Sequence, residues 1–130
     1  MITAYKDRDV YSTTVDVYRN LNRDMWSICA VDGPHKGKVI GHADELVMLR
    51  AVFRVSEKSR QRALREGVRN VHAKVRGALV TSPVALHDGP FTWVRYNPTR
   101  CGHFTVGTDT LTHVYSAPEV LFTPDGRVYI

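Results

Sequence analysis

Ser56-Glu-Lys-Ser-Arg-Gln-Arg-Ala-Leu-Arg-Glu-Gly67 and, just beyond it, Asn70-Val-His-Ala-Lys-Val-Arg-Gly-Ala-Leu-Val80 are the segments on which the fold assignment turns. Ser56 suits a helix N-cap, because its hydroxyl can accept from a free first-turn amide. Glu57 sits where the helix dipole favours an anion, and Gly67 supplies a left-handed stop. These signals predict a helix over about residues 57–66. Its only apolar side chains are Ala63 and Leu64, so a narrow stripe docks while Lys58, Arg60, Arg62 and Arg65 project outward. After Gly67 the period changes to two. Val71, Ala73, Val75 and Leu79 share one face and His72, Lys74 and Arg76 the other, as in a half-exposed basic strand.

Working outward, Val10 to Tyr18 and Trp26 to Val31 read as strands joined by the polar turn Asn20-Leu-Asn-Arg-Asp24. Gly33-Pro-His-Lys-Gly37 reads as a tight loop into a strand ending near Ala43, and Leu46 to Val55 is a long Val/Leu/Phe run. A four-stranded antiparallel meander is expected there. On the C-terminal side, strands are expected at Phe91 to Tyr96, His103 to Val106, Thr112 to Tyr115, Val120 to Phe122 and Arg127 to Ile130. The fold class is therefore expected to be α+β: antiparallel β-sheets with one central basic helix. One domain spans 1–130, with an extension over 1–16, the meander over 17–55, the helix over 56–67 and a β-rich half over 70–130. Tyr18-Arg-Asn20 is echoed by Arg95-Tyr96-Asn97, which ordinary hairpin grammar explains as readily as duplication.

The chain has 130 residues and a net charge of +5. That charge is local, since the segment from Arg50 to Arg76 holds nine Lys/Arg against two Glu. Such density favours a phosphate-bearing partner through Coulomb attraction, against the alternative of a merely solvated helix face. No window is apolar enough to span a membrane or resembles a signal peptide, so the expected location is the cytoplasm. Cys29 and Cys101 are too few for a disulfide framework or a zinc cluster and are expected to be free.

The motifs of common catalysis are missing: no His-Glu-x-x-His, Cys-x-x-Cys, Gly-x-Ser-x-Gly or Walker loop. His103-Phe-Thr105 fits one half of a two-histidine phosphoesterase, but His113-Val-Tyr115 does not supply the other. Asp44 and Glu45 are adjacent on the chain and cannot jointly serve as acid and base on a regular strand. What the sequence offers is cations interleaved with aromatic rings. Arg60, Arg62, Arg65, Arg69, Lys74 and Arg76 suit phosphate, and Trp26, Phe91, Trp93, Tyr96 and Phe104 can carry a stacked base. The expectation is a binder rather than an enzyme, with no catalytic residue, metal or cofactor.

The runs Val17-Tyr-Arg-Asn-Leu-Asn22, Gly37-Lys-Val-Ile-Gly-His-Ala-Asp44, Val55-Ser-Glu, Arg60-Gln-Arg, Arg69-Asn-Val-His-Ala73 and Tyr96-Asn-Pro98 carry a family likeness. Over about residues 17 to 130 the chain resembles the first-described Thoeris anti-defence family, phage "sponges" that sequester an immune signal. The resemblance implies a cytoplasmic homo-oligomer in the infected host, a dimer or a hexamer built from dimers. It would bind a cyclic ADP-ribose isomer or a cyclic oligonucleotide without cleaving it. It also implies a ligand set near Arg65, Arg69, Phe91, Trp93, Asn97, Arg100, Asp109 and His113. His113 stands where the family pattern suggests an arginine, which leaves the ligand's identity open. The alternatives are a nucleic-acid-binding phage regulator or defence inhibitor using residues 58–76 as a phosphate track, and a phage factor that inhibits a host protein.

Overall fold

A computed structural model describes residues 2–4, 10–11, 13–68, 71–80, 92–106 and 112–130. Among these the chain forms eleven strands and one helix. The strands are β1 (Ile2–Ala4), β2 (Val15–Asn20), β3 (Met25–Ala30), β4 (Val39–Ala43), β5 (Leu46–Val55), β6 (Ala73–Leu79), β7 (Trp93–Tyr96), β8 (Phe104–Val106), β9 (Thr112–Val114), β10 (Ser116–Phe122) and β11 (Val128–Tyr129); the helix is α1 (Glu57–Glu66). All strands join one antiparallel sheet in the order β1-β4-β3-β2-β6-β5-β10-β11-β7-β8-β9.

This corrects the expected α+β class with a central helix: the protein is mainly β, a single sheet, and α1 is peripheral. Ser56 caps it through Ser59 N and Gly67 ends it at φ 64°, yet none of its residues is buried. The reason lies in its connection. β5 and β6 pair directly, Val55 opposite Ala73, and Ser56 N donates to His72 O at 2.7 Å. The helix is thus an insertion in the turn of a long hairpin, not a layer over the sheet. With two apolar side chains in ten residues it has little hydrophobic surface to bury.

The expected four-stranded meander is also corrected. β2, β3 and β4 form a meander, but β5 pairs with β6 and β10 instead of β4. β6 inserts between β2 and β5, with Val17 opposite Val75 and Asp16 opposite Arg76. Local alternation identifies strands, but neighbours in a sheet are chosen by the burial of both partners' faces. Parts of the first sixteen residues are built in as well: β1 pairs with β4, and Val10 and Val15 are core residues.

The sheet rolls round one core. Phe53 on β5 and Phe104 on β8 are four strands apart in the order, yet their rings lie 4.9 Å apart. Trp26 on β3 likewise meets Phe122 on β10 at 5.0 Å, and its indole N–H donates to Thr123 O at 2.8 Å. Val17, Ile28, Val75, Leu79, Val94 and Val120 fill the space between. On the opposite face of β2 and β6, Asp16 is buried and accepts from Arg76 Nε and Nη2 at 2.9 and 3.0 Å.

Candidate functional site

Where the rolled sheet fails to close, a groove of about 1170 Å³ separates the β2–β6 side from the β7–β11 side. β2 and β6 supply Tyr18, Arg19, Asn20 and Lys74; β7, β11 and the turns beside them supply Trp93, Arg95, Tyr96, Asn97, Arg100 and Arg127. Leu21, Leu64, Val68 and Val71, all exposed, line it as well. Its described lining holds five Lys/Arg side chains, Arg19, Lys74, Arg95, Arg100 and Arg127, and no Asp or Glu. A pocket so composed is complementary to anions.

Four of the five cations are near aromatic rings, or stack on them. Arg19 lies 5.2 Å from the Trp26 ring, Lys74 5.9 Å from Tyr18, and Arg95 and Arg127 lie 5.1 and 4.4 Å from Trp93. Arg19 is held through Nη2 to Asp24 Oδ1 at 2.7 Å and Pro124 O at 3.3 Å, while its Nη1 is buried with no hydrogen-bond partner among the described residues. The Tyr96 hydroxyl is in the same state, and desolvation pushes its pKa up to about 12. Orphaned buried donors are unusual, because buried polar groups are nearly always paired.

Four of the sequence-assigned residues, Trp93, Asn97, Arg100 and His113, line the groove. Arg65 does not: it is exposed on α1 and is not part of the lining. Arg69, Phe91 and Asp109 lie outside the described residues. Asn97 spends its side-chain oxygen on its own turn, accepting from Thr99 N at 3.0 Å and Thr99 Oγ1 at 2.7 Å. Asn20 does the same for Asn22 N and Arg23 N. The echo between the two halves is therefore a shared Asx turn at a strand end. His113 stacks on His103 at 4.4 Å and shares a hydrogen bond with Tyr115 at 3.2 Å.

Sequence reasoning missed Arg19, Arg95 and Arg127 as site residues. For Arg95 the signal was Trp93-Val94-Arg95, an inward Val between two outward groups; Arg19 and Arg127 join the groove only through tertiary placement. The helix comb is partly neutralised: Arg60 pairs with Glu57 at 2.7 Å and donates to Pro98 O, and Arg62 pairs with Glu66 at 3.0 Å. Cys29 and Cys101 are free and half-buried, and burial raises the Cys29 thiol pKa. Among the described residues no group of three or more His, Cys, Asp or Glu is placed to hold a metal. None of the described helices is long and apolar enough to cross a membrane.

The model of one protein family, described as the Mycobacterium phage L5 gene 82 protein, matches residues 10–130. The chain belongs to that family. It is thus a phage protein, and the match takes in β2 to β11, including the whole described groove. No curated protein and no solved structure matches it.

Proposed function

We propose that this phage protein binds a cyclic ADP-ribose-type or cyclic oligonucleotide signalling molecule in the groove and holds it uncleaved, keeping it from a host defence effector. The observation that carries the reading is the composition of the lining: five guanidinium or ammonium groups, two tryptophans and two tyrosines, with no carboxylate. Cations take the phosphates, and the exposed Trp93 ring takes a base. Exposed Leu21, Leu64, Val68 and Val71 give the rim an apolar surface that suits self-association, the second part of the proposal.

The test is depletion and recovery. Purified protein is incubated with cyclic ADP-ribose isomers and cyclic oligonucleotides, removed by filtration and then heated. Intact ligand released only after heating supports sequestration; a changed product makes the protein an enzyme; no depletion removes the reading. Competition with an effector requires nanomolar binding, about 12 kcal/mol. Light scattering on the same sample reads the oligomer.

A further inference from the structure

Strand register puts two arginines directly opposite each other. Val128 pairs with Val94 and Tyr129 with Trp93, so Arg127 on the β11 side faces Arg95 on β7. Like charges so placed repel. Both guanidiniums lie over the ring of Trp93, at 5.1 and 4.4 Å, and that ring is 40% exposed. Asp125 reaches Arg127 at 3.6 Å, with the Arg127 and Asp125 side chains 49% and 60% exposed, and the Tyr129 side chain hydrogen-bonds Arg127 as well, so Arg127 is tethered by surface contacts that a phosphate would compete with. The negative face of an indole offsets part of the repulsion, and a phosphate would offset far more.

We infer, on the basis of the nucleotide-binding reading, that Trp93, Arg95 and Arg127 form the subsite for a nucleoside phosphate. The phosphate lies between the two guanidiniums. Arg127 leaves the ring to meet it, and the vacated face of Trp93 takes the base. In the free protein Arg127 therefore occupies the place of the base. Ligands that carry both a base and a phosphate are selected over either alone, because only they supply the anion that draws Arg127 away and the ring that replaces it.

The experiment titrates the full chain with cyclic ADP-ribose, ADP and inorganic pyrophosphate, reading tryptophan emission and calorimetry for wild type, W93F, R127A and R127K. The two adenine ligands are expected to quench emission in wild type and not in W93F, whose remaining Trp26 is buried. W93F lowers their affinity about tenfold or more and leaves pyrophosphate unchanged. R127A weakens all three ligands, and R127K recovers pyrophosphate but not the stacking-coupled part. If the adenine ligands bind and W93F and R127A bind them as wild type does, the subsite is wrong and the groove reading survives. If neither those ligands nor the wider cyclic panel binds wild type, both fall.

Discussion

Gly77 lies on β6 opposite the bulge that interrupts the β5–β6 register between Leu49 and Val52, where Arg50 takes a left-handed φ of 52°. A methyl group at Gly77 would stand 2.7 Å from the Leu49 carbonyl oxygen and 2.7 Å from Met48 Cγ. The carbonyl is fixed by the strand and Met48 is fully buried, so neither yields easily. Gly77→Ala is expected to cost about 1–3 kcal/mol, read as a lowered denaturation midpoint. His42, buried and sharing a hydrogen bond with Ser27 at 3.1 Å, has its pKa lowered from 6.5, first by desolvation and then by Arg23. Its neutral form is favoured in the fold, so as pH falls through 6.5 the unfolded chain binds a proton that the native chain resists. Stability is unaffected above that pH and declines below it, down to the native pKa. Melting His42→Gln beside wild type between pH 7.5 and 5.5 should show a shallower decline in the variant; parallel curves would assign the decline to other groups.

At the scale of the element, α1 shows that helix signals and helix importance are separate matters. Its cap, first-turn acid and glycine stop were all readable in the sequence because they are contacts within about ten residues. Its peripheral position was not, since that depends on β5 and β6 being hydrogen-bonded partners across the insertion. Replacing Glu57–Val71 with Asn-Gly should close the hairpin at the existing Ser56–His72 bond and leave a cooperative, β-type protein. Circular dichroism and a thermal melt check this; an unfolded product would show that the Arg60–Pro98 bond and the Leu64 side carry more of the stability than their burial suggests. The same variant loses Leu64, Val68 and Val71 from the groove and should bind ligand more weakly.

Over the whole molecule, the groove follows from the way one sheet rolls without closing. Trp26–Phe122 and Phe53–Phe104 tie its distant strands together, and the Trp26–Thr123 bond anchors the β10–β11 turn to β3. On the proposed reading, the cations that act are those on facing walls, of which Lys74 is the one drawn from the basic segment 50–76. Lys74→Glu and Arg100→Glu are expected to weaken the captured ligand about tenfold or more each, with little change in melting because both sit at the groove surface. Arg65→Glu, on the outer helix, should have a much smaller effect at moderate salt, where distant charges are screened. Equal losses from all three in the binding assay would point to a diffuse electrostatic surface instead of the groove.

Most strand positions, the capped helix and the free cysteines were legible from the sequence by itself, because each rests on periodicity, local capping chemistry or residue inventory. Trp93, Asn97, Arg100 and His113 were reachable for the same reason: they sit at strand ends and turns of the aromatic, cationic C-terminal half. Tertiary structure alone decided that β6 enters between β2 and β5, that the fold is one rolled sheet and not an α+β assembly, and that Arg19 and Arg127 share a groove with Lys74. Those outcomes depend on which faces bury against one another across the chain, a long-range competition that leaves no local trace in the spacing of residues.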